Sequence, residues 1–379
     1  MSGENVTGDP GAKAPEEPPP SETDGTNSTS GNKEKTVSAV AGASRDQGGE
    51  SYRQMVWRLF WKSKLNKVAL IVVVLLLILA AVADFLASDK PIYVALDGET
   101  YWFPNITDPP ELRIFNNQLL EENLGPNDSA VFPVVPWGFN THDLDNVLAP
   151  PSAEHWLGTD DRGRDVLSRI IHGTRVSLLV GFLAVISLLT VGVVLGSAAG
   201  YLGGILDGAV NRCVEILNSI PGLLIIVVVM NAIGPTGWDA VLIMGGVIGA
   251  IRWTTVARLI RGEILKVRTL EYVDAARSLG AKHGRIILRH IVPNSISPVF
   301  VAATFAMAAA ILLEAAISFL GFGIPDDMAS WGVVLQGVRF NLDAWWLGVA
   351  PGFALFITLT AINLLGEGLR DAIDPRLKT

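Results

Sequence analysis

Apolar residues in this chain gather into long unbroken runs, and the lengths of those runs set the architecture. About 20 apolar residues span the hydrocarbon core of a bilayer. Six stretches reach that length, near residues 68–87, 176–200, 210–233, 238–258, 296–322 and 345–366. The third and fourth are separated only by Gly234-Pro235-Thr236-Gly237, a composition suited to a tight turn between antiparallel helices. Pro221 and Gly222 inside the third run predict a kink or a break. The pattern therefore predicts an all-α polytopic membrane protein with six transmembrane helices.

What lies between the runs divides the chain. Residues 1–50 are rich in Pro, Gly, Ser, Thr, Glu and Asn, with few large apolar residues, and are expected to form a disordered tail. Residues 51–88 hold a basic flank and the first transmembrane helix. Ala81-Val82-Ala83 superficially matches a cleavage site, but the run starts too far from Met1 for a signal peptide. Residues 89–175 form one long loop, and 176–379 a core domain with the other five helices.

Basic residues set the expected orientation. Arg53, Arg58, Lys62, Lys64 and Lys67 precede the first helix; Arg261, Lys266, Arg268, Arg277, Lys282, Arg285 and Arg289 fill the segment 262–294 and its approach. The positive-inside rule puts both in the cytoplasm. Six crossings then return Arg370, Arg376 and Lys378 to the same side, with both termini cytoplasmic. The 89–175 loop faces outward, its middle acidic with Asp97, Glu99, Asp108, Glu111, Glu121, Glu122, Asp128, Asp143 and Asp145. Trp345 and Trp346 fall where an aromatic belt would mark the outer end of the last helix.

Composition agrees and narrows the partners. Half the residues are hydrophobic and 17% are charged, which fits a chain whose main partner is the lipid bilayer. The net charge of -8 comes from the tail and the outer loop, while the cytoplasmic segments are basic; nucleic acid is not among the expected partners. The single cysteine, Cys213, allows no intrachain disulfide and reads as a small buried apolar residue.

One hydrophilic segment stands out. From Leu270 to Leu279, Leu270, Val273, Ala276 and Leu279 recur at three-residue steps, while Glu271, Asp274, Arg277 and Ser278 face elsewhere. That is a short amphipathic helix, and Gly280 is its expected left-handed stop. A second basic helix is expected from Lys282 toward Arg289, ending before Pro293. Ala275 and Ala276 leave room for another protein's surface. The residues alone leave two readings: a docking helix, or an amphipathic loop lying on the membrane.

Asp274-Ala275-Ala276, Gly280 and His290-Ile291-Val292-Pro293 resemble the EAA loop of ABC-importer permeases, whose pattern is Glu-Ala-Ala, Gly and a distal Ile-x-Leu-Pro. Asp274, His290 and Val292 depart from it. Further motifs resemble the C-type permease subunit of the dipeptide, oligopeptide and nickel importers. They include His155-Trp156-Leu157-Gly158-Thr159-Asp160-Asp161, Gly163-Arg164-Asp165-Val166-Leu167-Ser168-Arg169 and Leu313-Glu314-Ala315-Ala316-Ile317-Ser318-Phe319-Leu320-Gly321. Ser330-Trp331-Gly332 and Asn363-Leu364-Leu365-Gly366-Glu367-Gly368-Leu369-Arg370-Asp371 complete the set.

The resemblance implies a type I ABC-importer permease fold. It also implies a heterodimer with a second homologous permease, two cytoplasmic ATPase subunits and an extracytoplasmic substrate-binding protein in the inner cell membrane. Tyr272, Asp274, Ala275, Ala276, Arg277 and Gly280 would then couple to an ATPase. Peptides are the implied cargo, with nickel or another non-peptide cargo as the alternative. No Gly-x-x-x-x-Gly-Lys-Ser/Thr pattern occurs, so no cofactor is expected in this chain, and ATP and Mg belong to the partner subunits.

Other classes fit less well. The apolar spans contain no His, no His-Glu-x-x-His and no paired aspartates, so an intramembrane enzyme is not indicated. An ion-driven secondary transporter would show paired interrupted helices, and Pro221-Gly222 has no counterpart. Glu314 lies within the fifth span, where a carboxylate is expensive; it reads either as a path or permease-interface residue or as a hydrogen-bonded packing residue. Asp165 with Arg169 and Arg162 with Asp165 suggest a short outer helix with its own surface ion pairs.

Overall fold

The computed structural model describes residues 52–96 and 98–373. The tail expected over 1–50, Asp97, Arg376 and Lys378 lie outside them. The chain divides into two units, Met1–Tyr52 and Arg53–Thr379, and the second carries the elements below.

Five single helices are long and apolar enough to cross a membrane: α2 (Lys64–Ala81), α4 (Val166–Leu202), α7 (Gly237–Val267), α9 (Ser297–Phe319) and α11 (Trp346–Ile373). The sixth expected span is the pair α5 (Gly204–Ser219) and α6 (Gly222–Ile233), bent by 83°. The break falls at Pro221, which lacks the N–H that would continue the ladder. Ahead of the first span lies α1 (Tyr52–Lys62); Ser63 separates the two by capping α2.

Helix α4 starts ten residues before the expected boundary. Its first turns carry Arg169, His172 and Thr174, polar residues that an apolar window excludes but that helical hydrogen bonding tolerates when they find partners. The Asp165 side chain starts the helix by accepting the Ser168 N–H at 2.7 Å.

Helices α4 and α7 run side by side in the same direction and share the most extensive helix–helix contact among the described residues. Gly192, Gly196 and Gly200 of α4 meet Val256, Ala257, Ile260 and Ile264, while Gly245 and Gly249 of α7 meet Leu183 and Ser187. Small residues at four-residue spacing let the backbones approach closely where lipid supplies no hydrophobic drive. Helices α9, α11 and α2 complete the bundle.

Two ends result. At the basic end, α4 and α7 finish and the 268–295 segment lies. At the acidic end, residues 83–165 form a small subdomain around a three-stranded antiparallel sheet of order β2-β1-β3: β1 (Tyr93–Leu96), β2 (Glu99–Trp102) and β3 (Ser129–Val131). This sheet adds strand structure to the helices of the described residues. Gly98, at φ +83°, turns the hairpin. Val94, Leu112 and Leu120 of helix α3 (Asn117–Asn123) form its core. Lys90 fastens it, its Nζ donating to the carbonyls of Leu112 and Phe115 at 2.6 Å each.

Two residues sit differently from expectation. Cys213 is exposed on α5 rather than buried, because α5 is an amphipathic helix and Cys213 falls on its outer face. Of the expected belt pair, Trp345 is exposed, whereas Trp346 is buried and donates Nε1–H to the Thr159 carbonyl at 2.9 Å.

Candidate coupling site

The hydrophilic segment folds as helix α8 (Glu271–Ser278). Its end has the Schellman arrangement, with Ala281 N–H on the Ala276 carbonyl at 3.2 Å and Gly280 N–H on the Arg277 carbonyl at 2.9 Å. Gly280 supplies the required left-handed conformation at φ +76°. The chain beyond is helical too, and it does not stop before Pro293. A turn over His283–Ile286 passes into a π-helical stretch, Ile287–Ile291, and then into Val292–Ser295. The wider π turn re-spaces the hydrogen bonds where Pro293 offers no N–H.

Only part of the apolar stripe turns inward. Val273 is 0% exposed and Ala276 packs beside it, against Ile264, Ile286 and Ile291 in the basic-end core. Leu270 is exposed, and Leu279, at 87%, has almost no protein around it. Tyr272, Asp274, Ala275 and Arg277 share the outer surface with Leu279. Asp274 and Arg277 pair across one turn at 3.0 Å, a surface pair of small energetic weight. Of the six expected site residues, five are presented outward and Ala276 braces the helix from behind.

The bracing is extensive. Tyr272 reaches the second helical stretch, where Asn294 Nδ2 donates to its hydroxyl at 3.2 Å and to the His290 carbonyl at 2.6 Å. Tyr201 and His283 meet at 3.2 Å, and Arg268 Nη1 donates to the Gly200 carbonyl at 3.0 Å. Arg261 forms a two-pronged ion pair with Asp207 at 2.5 and 2.6 Å. Sequence reading did not find these contacts, although Asp207 and Arg261 are opposite charges near helix ends expected on one side.

Glu314 is fully buried, 0% exposed, within its own chain. Ser318 donates to one carboxyl oxygen at 2.9 Å and Ser177 of α4 to the other at 3.2 Å. Ser177 in turn accepts the Trp331 N–H at the start of α10 (Trp331–Gln336), at 3.4 Å. The carboxylate thus joins α4, α9 and α10 through the hydroxyls of Ser177 and Ser318.

The acidic-end charges pair differently from expectation. Asp165 is spent on capping α4 and on His155, which it meets at 2.9 Å. Arg162 pairs instead with Asp326, and buried Arg169 lies 3.8 Å from both Asp160 and Asp326. Arg164 joins Asp160 and Asp326 directly. Burial works against the Arg164 charge, but Asp326 and Asp160 more than offset it and hold its pKa above the ordinary arginine value. Burial likewise raises Asp165 despite its hydrogen bonds, whereas for Asp326 the Arg164 contact outweighs burial and keeps the carboxyl below its usual range.

Residues 192–379, which contain α8 and Glu314, match the model for the binding-protein-dependent transport system inner membrane component. Residues 51–110 match the N-terminal TM domain of oligopeptide transport permease C. The dipeptide transport system permease protein DppC of Bacillus subtilis (strain 168) is 34% identical over 330 residues, 86% of this chain and 87% of the relative. The chain belongs to the binding-protein-dependent transport permeases. The oligopeptide transport system permease protein OppC of the same organism is 38% identical over 244 residues, covering 64% of this chain and 78% of that protein. A probable D,D-dipeptide transport system permease protein, DdpC of Escherichia coli (strain K12), is 39% identical over 62% of this chain and 78% of its own length. One chain of the MetNI methionine ABC transporter aligns with TM-score 0.44 and 19% identity over 54% of this permease and 97% of that chain. The permease is thus a multi-pass, non-catalytic membrane subunit of an ABC importer, and ATP hydrolysis belongs to a separate subunit.

Proposed function

We propose that this permease forms half of the translocation path of an ATP-driven peptide importer in the inner membrane. A second homologous permease supplies the other half. Two cytoplasmic ATPases bind ATP and Mg, and an extracytoplasmic binding protein delivers the cargo. The basic end and both termini face the cytoplasm, as the lysines and arginines flanking α2, α7 and α9 favour.

The observation that carries this reading is the form of α8. A helix with only Val273 and Ala276 turned inward presents Tyr272, Asp274, Ala275, Arg277 and Leu279 to a partner. The small Ala275 permits close approach, Asp274 and Arg277 give a polar rim, and Leu279, 87% exposed, offers apolar surface that a partner would bury. Load applied to α8 passes through Val273 and Tyr272 into the 283–295 helix, and through Arg268 to the end of α4. ATPase closure would in this way move the bundle rather than bend a loop. Peptide cargo rests on the peptide permeases among the relatives.

The test is reconstitution of the permease pair, ATPases and binding protein in liposomes. ATP-dependent uptake of a di- or oligopeptide is expected; uptake by the permease pair without ATPases, or of nickel in preference to peptides, contradicts the reading.

A further inference from the structure

The outward apolar face of the first span does not end where α2 does. Ile71, Leu75 and Ile78 are exposed along it, and at the same three- and four-residue steps the stripe continues through Val82 to Phe85. Helical hydrogen bonds bridge the join, with Val82 N–H on the Ile78 carbonyl at 2.9 Å and Leu86 N–H on the Val82 carbonyl at 3.2 Å. Phe85 then meets Phe103 nearly at right angles, their ring centres 5.8 Å apart. Trp102 stands beside Phe103 at 6.4 Å, and Tyr93 beside Trp102 at 4.8 Å.

This aromatic cluster lies at a definite depth. Arg175 is the last charge before the uncharged run of α4 from Val176 to Leu202, and it pairs with Asp84 at 2.8 Å. The Asp84 carbonyl accepts the Asn105 Nδ2 amide at 2.7 Å. The short helix Pro104–Thr107 therefore sits where the bundle leaves the hydrocarbon at its acidic end.

Trp102, Phe103 and Ile106 are exposed at that level, Trp102 at 66% and Ile106 at 56%. Phe103 has φ +57°, an uncommon backbone conformation for a bulky side chain. Its carbonyl holds the turn by accepting the N–H groups of Ile106 and Thr107 at 3.0 Å each. Between acidic Glu99 and Asp108, the run from Trp102 to Thr107 carries no charge.

A contiguous exposed apolar patch marks a contact with a membrane or with another protein. Lipid is favoured here because the patch continues the membrane-facing stripe of the first span, lies at the depth of the membrane–water boundary, and has the neutral, tryptophan-bearing composition of interfacial residues. We infer that Trp102, Phe103 and Ile106 insert into the headgroup–acyl boundary of the bilayer beside α2. They give the acidic-end subdomain a hold on the membrane in addition to its chain links to α2 and α4. The contact is hydrophobic and needs no anionic lipid.

The test uses the full-length permease in phosphatidylcholine nanodiscs, with Cys213→Ser as background and a nitrobenzoxadiazole fluorophore on one introduced cysteine. Ile106→Cys and Trp102→Cys report on the patch, Ile78→Cys is the lipid reference, and Glu122→Cys, exposed on α3, is the water reference. Each label replaces an exposed side chain, so the variants are expected to fold, and a second patch position covers the loss of one. The readout is quenching by phosphatidylcholine that carries a nitroxide near the top of its acyl chain. Quenching at one or both patch positions is expected to approach that at Ile78→Cys and to exceed that at Glu122→Cys by at least about threefold. A smaller excess at both positions overturns the inference. So does quenching that disappears when the second permease is present, or a patch that becomes shielded only when the external binding protein is added, because the surface then belongs to a protein partner.

Discussion

Arg164 and Asp326 stand 162 positions apart in the chain and form a two-pronged contact, Nη2 to Oδ1 at 3.0 Å and Nη1 to Oδ2 at 3.2 Å. The pair ties the lead-in of α4 to the loop between α9 and α10, with Asp160 closing the other side of the guanidinium at 2.7 Å. Arg164→Met takes from buried Asp160 its closest cationic partner and leaves it only the more distant Arg169 at 3.8 Å. Losing one member of a buried pair costs about 3–5 kcal/mol. Thermal unfolding in detergent should show a correspondingly lower midpoint, with the helical content of the native state retained.

The same cluster predicts an opposed pH response. Asp326 is held below its ordinary value of 3.8, so its contribution to stability is present above about pH 4 and is lost as pH falls through the depressed folded pKa. Asp165 is raised above that value; the folded state then binds more protons than the unfolded one, and stability declines as pH rises from about 4 through the raised folded pKa. Asp326→Asn should remove the acid-side loss, and Asp165→Asn, which keeps an N-cap side chain, should remove the decline above it. Unfolding midpoints measured across pH check both signs.

Gly280 adopts φ +76°, yet a Cβ there would meet nothing within 4 Å. A Gly280→Val effect is therefore conformational rather than a clash, about 1–2 kcal/mol for forcing a non-glycine residue into the left-handed region. Membrane insertion and bundle stability should be retained while peptide uptake falls. Uptake equal to wild type contradicts a coupling role for α8.

Glu314 offers a test between packing and path. Glu314→Gln keeps an acceptor for one serine and places a donor amide against the other, whose hydroxyl can turn to accept it, and should leave transport near wild type. Glu314→Ala removes the acceptor for both hydroxyls and should destabilise the chain by about 1–3 kcal/mol. A large loss of uptake in Glu314→Gln with unchanged stability would assign the carboxylate to the path.

Features encoded locally were legible in the sequence. Apolar run length located the spans, Pro221 marked the break in the third, and Gly280 marked the end of α8. The long-range contacts were not. Spacing along one helix paired Asp165 with Arg169, but the fold brings His155 to Asp165 and Asp326 to the arginines, and nothing local encodes a partner 162 residues away. Period alone also set Leu279 and Val273 on one stripe; the body of the protein reaches only Val273 and Ala276, which leaves Leu279 bare. Pro293 read as a helix stop because the π turn that absorbs it has no sequence period of its own.

The central claim is that the exposed face of α8 docks an ATPase. The most direct test is site-directed crosslinking in the assembled importer, with Ala275→Cys or Leu279→Cys introduced after exposed Cys213 is replaced by Ser. A thiol-specific photocrosslinker at either position is predicted to yield a permease–ATPase adduct whose amount changes when ATP is added. Absence of any ATPase adduct from both positions, in an importer that still takes up peptide, would contradict the account.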